Sequence, residues 1–191
     1  MSLLERGFKT WAERYAEGLR KELQLDLSDQ MEMGRLASFF SARLLVPSDI
    51  AGMTEQHLHQ LLRVDPSGWS AVTVVMNEEA VIIYNPHHSK GRQASDICHE
   101  ISHLALEHEP TKLVMSPDGS LVMRNFNQRQ EEEANWLAWC ILLPREALVT
   151  ALRRRASVEE IANHFGVSTP LVKFRVQKTG AQIQYRRGRS A

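Results

Sequence analysis

Residues 136–143 read Trp-Leu-Ala-Trp-Cys-Ile-Leu-Leu and are closed by Pro144. With the polar run Gln128-Arg-Gln-Glu131-Glu132-Glu133-Ala134-Asn135 ahead of them, they predict a single helix from about Gln128 to Leu143, because a proline ends a helix at the residue before it. The second half of that helix is apolar on nearly every side. A helix of this kind lies inside a core rather than on its surface, so the rest of the chain has to wrap around residues 136–143.

The wrapping elements are legible in outline. Leu4, Phe8, Trp11, Ala12, Tyr15 and Leu19 repeat at the spacing of an amphipathic helix over residues 3–24, and a second helix is expected from Met31 to Leu44, stopped by Pro47. Two β-branched runs, Ala71-Val-Thr-Val-Val-Met76 and Ala80-Val-Ile-Ile-Tyr84, flank Asn77-Glu78-Glu79 and predict a β-hairpin ended by Asn85-Pro86. Lys90-Gly91-Arg92 reads as a loop into a further helix, capped by Ser95 or Asp96 and running to about His108, before Pro110. Pro117-Asp118-Gly119 is a turn signal between two short strands. The expected class is α+β, a set of helices with a small β-sheet.

Composition excludes several classes of protein. At 191 residues, 43% apolar and 24% charged, the chain is neither a disordered tail nor a fibre. It has no apolar run long enough to span a bilayer, and its first residues carry charges where a secretion signal needs an apolar stretch, so a cytoplasmic protein without membrane association is expected. The two cysteines, Cys98 and Cys140, sit in apolar helical contexts and are expected to be reduced and buried.

Within the helix after the hairpin lies His99-Glu-Ile-Ser-His103. Residues i and i+4 share a helix face, so both imidazoles can reach one ion, with Zn2+ as the expected metal. Glu100 is rotated about 100° from His99 and cannot join them, but it can take a proton from water beside the ion, as a general base does. A zinc peptidase needs a third protein ligand and a position left for water. Leu106 and Glu109 occupy the places where one arrangement requires Gly and a third His, so that arrangement fails. The alternative takes a carboxylate from a second helix, and Glu131-Glu132-Glu133 opens one. Glu131 lies three residues before Ala134 and seven before Ala138 on the inward face, making it the first candidate and Glu132 the second. Asn135 is placed to hydrogen-bond a ligand, His108 to act beside the second histidine, and Tyr84 and Arg92 to touch substrate at the rim. His57, His59, His87 and His88 are expected in surface loops.

Ile82-Ile-Tyr-Asn85, Gly91-Arg92-Gln93, His99-Glu-Ile-Ser-His103-Leu-Ala-Leu-Glu-His108, Glu131-Glu-Glu-Ala-Asn135 and Leu142-Leu-Pro144 follow one another in an order that resembles the ImmA/IrrE family of metallo-endopeptidases. The resemblance covers roughly residues 30–180. It implies a zincin-like peptidase core, metal ligation by His99, His103 and Glu131, and Glu100 as the catalytic base. It further implies a protein substrate, a helix-turn-helix repressor whose loss switches on a mobile element or a stress response. The chain departs from the family pattern at Ser95-Asp96-Ile97-Cys98, just ahead of the motif.

The last quarter differs in charge. Residues 1–144 hold 13 Lys and Arg against 20 Asp and Glu, whereas residues 145–191 hold 10 against 3. Ser157 to Gly180 reads as helix, tight turn, helix, with Ser157 and Glu160 as a capping box, Gly166 at the turn, Ser168 or Thr169 as second cap and Gly180 as the end. The expected organisation is a metallopeptidase domain over 1–150, a helix-turn-helix-like module over 151–180 and a basic tail over 181–191. Lys173, Arg175 and Lys178 would then face outward, and contact with DNA is one use of such a module. The competing function class is a DNA-associated regulator or anti-repressor whose metal site is only structural.

Overall fold

The computed structural model describes residues 3–76, 79–108, 112–115, 121–124 and 127–180. The expected turn at Pro117-Asp118-Gly119 and the basic tail after residue 180 lie outside them. The class is α+β. Among the described residues there are eight α-helices, a mixed three-stranded sheet and a two-stranded ladder.

Helix α1 (Phe8–Glu22) leads into α2 (Met33–Phe39). The second helix is shorter than its apolar pattern suggests. Ser41 takes φ 53°, the chain leaves the helix, and Ala42–Leu45 form strand β1 instead. The physical reason is a distant partner: β1 runs parallel to β3 (Glu79–Tyr84), with Leu44 opposite Ile82. Helical periodicity carries no information about such a pairing. Strand β2 (Ala71–Met76) pairs antiparallel with β3, as the hairpin pattern predicts, and the order is β1-β3-β2. Central β3 buries Val81 on one face and Ile82 on the other, while β2 forms an edge.

Helix α3 (Glu55–His59) carries His57 and His59 on the surface, on a helix rather than a loop, and continues into a π-helical segment, Gln60–Val64. Helix α4 (Lys90–Ala105) begins earlier and ends earlier than expected. Its N-cap is Ser89, not Ser95 or Asp96. The Gln93 side chain explains the early start, donating to the carbonyls of Pro86 and His88 and tying the preceding turn onto the helix. Gly91 lies in the first turn because α4 there touches the backbone at Val167. At the far end, Glu107 takes φ 51° and turns the chain back.

Strands β4 (Lys112–Met115) and β5 (Leu121–Arg124) form the expected antiparallel pair. Helix α5 (Gln128–Leu142) is the central element, with Ala134, Leu137, Ala138, Cys140, Ile141 and Leu142 essentially removed from solvent. It packs against α4 on one side and α1 on another. Helix α6 (Arg145–Arg153) follows Pro144. Helix α7 (Val158–Phe165) starts with the Ser157–Glu160 capping box, Gly166 is left-handed at φ 64°, and α8 (Thr169–Thr179) is capped by Ser168. Ile161, Phe165, Leu171 and Val172 belong to the same apolar cluster as α1, α4 and α5. Lys173 and Lys178 are exposed, but Arg175 is not. Its guanidinium is buried and donates to the Leu143 carbonyl and to Glu13, which corrects the expectation that it faces outward.

Candidate metal centre

Helix α4 presents His99 and His103 one turn apart, and the first turn of α5 brings Glu131 across to them. His99 Nε2 and His103 Nε2 are 3.1 Å apart. Glu131 Oε2 lies 3.2 Å from the first and Oε1 3.5 Å from the second. These three residues offer ligand atoms that all fall within 4.8 Å of one another. Two imidazole nitrogens and a carboxylate converging so closely are three lone-pair donors facing one another, an arrangement that repels unless a cation or proton stands between them. Metal–ligand bonds of about 2.0–2.1 Å in a tetrahedron place ligands about 3.3 Å apart, so the donor set fits such an ion. Burial, reinforced by the neighbouring rings of His99 and His103's other neighbour His108, pushes the His103 pKa down to about 4. The imidazole is therefore neutral near pH 7, the form that binds metal.

The neighbouring carboxylates have separate partners. Glu132 accepts from the backbone N–H of Leu3. Glu133 is the most buried of the three and faces His108 at 3.4 Å and Arg129 at 2.8 Å. Sequence reasoning gives the inward face to one glutamate alone. Because α5 is enclosed from several sides, its first turn uses two. His108 itself lies 3.0 Å from His103, ring nitrogen to ring nitrogen, carried there by the turn at Glu107. Burial lowers its pKa, opposed by the hydrogen bond and charge of Glu133.

Glu100 reaches the sheet, where the hydroxyl of Thr73 on β2 donates to its Oε2 at 2.6 Å. Thr73 is a site residue that sequence reasoning misses, since one threonine in a β-branched strand gives no signal of its own. A cleft of about 300 Å³ opens beside these groups, between the start of β2, α4 and α5. Its walls include His99, Glu100, Asp96, Asn135 and Trp139, so Asn135 faces the cleft. A larger cavity of about 440 Å³ between α6 and α7, lined by Ala151, Ile161 and Phe165, shares none of the converging groups.

Arg92 stands at the rim, donating to Ser70 Oγ at 3.1 Å with Asp96 at 3.7 Å. Tyr84, at the end of β3, is half-buried and packs against the apolar core. His88 lies in the loop before α4, as expected, but its side chain turns inward. Its ring is buried and bonded to Asp96 at 2.8 Å, held by the turn that Asn85 organises through the carbonyls of Pro66 and Trp69. Cys98 and Cys140 are free thiols buried in the core, away from the converging donors.

No helix among the described residues is long and apolar enough to cross a membrane. No curated protein matches the chain at significant similarity. A family model described as the IrrE N-terminal-like domain, a peptidase family, matches residues 55–177, well over half of the chain. That span contains the two-histidine helix, the Glu131 helix and the cleft between them, and the chain belongs to the ImmA/IrrE family of metallopeptidases.

Proposed function

We propose that this protein is a zinc-dependent endopeptidase that cuts a partner protein, a helix-turn-helix transcriptional repressor, and thereby derepresses genes of a mobile element or a stress response. The observation that carries the reading is the convergence of His99, His103 and Glu131 with Glu100 beside them on the wall of a cleft. Three protein ligands leave a position open, whereas structural zinc sites are closed by four and rich in cysteine. Here both thiols are buried elsewhere; Cys98 Sγ, for one, donates to the Ala138 carbonyl.

His99, His103 and Glu131 would hold the ion, which when bound would supply Lewis acidity and draw the pKa of water toward about 7. Glu100 handles the proton. The Thr73 hydroxyl holds its carboxylate at Oε2, and the carboxylate takes up the proton from water and delivers it to the departing amine. Edge strand β2 lies along this side of the cleft, and an extended peptide can add to it through main-chain hydrogen bonds. Such pairing accepts many sequences, so choice of substrate falls to the cleft walls at Asp96, Asn135 and Trp139.

The test is Glu100→Gln. The variant keeps its metal and loses cleavage of a candidate helix-turn-helix repressor, read as fragments by mass spectrometry. If it inactivates the repressor as well as the unmodified protein does, the peptidase reading is wrong. If peptide bonds are cut but that repressor stays intact, the substrate assignment is wrong.

A further inference from the structure

We infer that Glu133 and His108 are positioning residues for His103, fixing through a two-step hydrogen-bond relay which of its ring nitrogens is bare toward the metal centre. The inference rests on the reading of His103 as a ligand. Its links are Arg129 Nε to Glu133 Oε1 at 2.8 Å, the longer ion-pair contact of Glu133 Oε2 with His108 Nε2 at 3.4 Å, and His108 Nδ1 to His103 Nδ1 at 3.0 Å. The side chains of His108 and Glu133 are 7% and 11% exposed, so water competes poorly for the contact between them, while Arg129 reaches in from a half-exposed position.

The positions of the protons follow from what each group is able to do. A guanidinium only donates, so Arg129 takes one oxygen of Glu133 and leaves the other as an acceptor facing His108. Neutral His108 has a single N–H, and the carboxylate claims it at Nε2. Its Nδ1 is then a lone pair. Two bare nitrogens at 3.0 Å repel, so His103 carries its proton on Nδ1 and its Nε2 is left free. That Nε2 is the atom 3.1 Å from His99 Nε2 and 3.5 Å from Glu131 Oε1.

The two histidines of the centre are not equivalent in this respect. His99 Nδ1 is buried with no hydrogen-bond partner among the described residues. His103 alone has a built support, assembled from the turn after α4 and the first turn of α5. A bond from a ligand's second nitrogen to an oriented acceptor sets its tautomer and strengthens it as a donor to metal.

Glu133→Gln tests the relay without changing shape. Arg129 still requires an oxygen, which turns the amide NH2 toward His108 Nε2 and reverses both hydrogen bonds. In the metal-free full-length protein labelled with 15N-histidine, ring correlations should show His103 protonated on Nδ1, and in Glu133→Gln on Nε2. Competition with a chromophoric chelator should show Zn2+ binding about 10- to 100-fold weaker in the variant. A wild-type His103 protonated on Nε2 overturns the relay, as does a Glu133→Gln protein in which either tautomer or Zn2+ affinity is unchanged. If Glu133→Gln does not fold, His108→Phe replaces it, with the same weakening expected and unchanged affinity overturning the proposal. Wild-type protein that binds no Zn2+ refutes the metal reading instead, while the tautomer in the same sample still decides the relay.

Discussion

The Thr73 hydroxyl donates to Glu100 Oε2 at 2.6 Å, joining the edge strand of the sheet to the helix that carries both histidines. A hydrogen bond to a carboxylate contributes about 1.5–3 kcal/mol, enough for one to two decades in rate if it is needed to hold the base in place. Thr73→Val should lower kcat for peptide cleavage about 10- to 100-fold with metal content unchanged, and Thr73→Ser should restore most of it. Equal rates for Val and Thr, measured at saturating substrate, would remove Thr73 from the site.

Removing the third donor should separate the adjacent glutamates. Glu131→Ala is expected to reduce bound zinc from about one equivalent to a small fraction under mild chelation, because two imidazoles alone hold the ion weakly. Glu132→Ala, which loses only its bond to the Leu3 N–H, should keep it. Metal analysis of the two purified variants decides the matter.

The two thiols should be silent in the folded protein. Burial pushes Cys140 up to about 12, and Cys98 is raised further by its own burial. A thiol whose folded pKa is raised favours the native state fully below its unfolded pKa, near 9, and that contribution is lost as pH rises from there through the folded value. At pH 8, iodoacetamide should label neither cysteine until denaturant is added, as mass spectrometry would show. Thermal stability should fall as pH is raised beyond about 9.

Two glycines in helices should respond to alanine with opposite signs. Gly18, in α1, has nothing within 4 Å of an added Cβ, and Gly18→Ala should stabilise by about 0.5–1 kcal/mol through helix propensity. At Gly91 the Cβ would stand 2.8 Å from the Val167 carbonyl carbon and 2.9 Å from the Ser168 nitrogen. Gly91→Ala should destabilise by about 1–3 kcal/mol despite the same propensity gain. Chemical denaturation midpoints for both variants test the contrast.

What could be read in advance was local. The β2–β3 hairpin, the buried helix ended by Pro144 and the Ser157–Glu160 cap each have their cause within a few residues. Strand β1 could not be read, because Ala42–Leu45 becomes a strand only through β3, nearly forty residues away. Nor could the start of α4, which depends on Gln93 bonding backward and on Gly91 touching Val167. At the site, the i, i+4 histidines follow from helix geometry. Thr73, Glu133 and His88 were invisible, since each acquires its role from a residue on another element, and no spacing rule connects them.

Arg175 is shut away from solvent, gripping the Leu143 carbonyl at the end of α5 and Glu13 on α1. Helix α8 is thus a keystone set from behind, locking α1 to the helix that delivers Glu131. A chain that stops before α8 strands Glu13 without the Arg175 cation and opens the floor beneath α5, so the candidate metal centre near the middle of the sequence is completed only when α8 has been made.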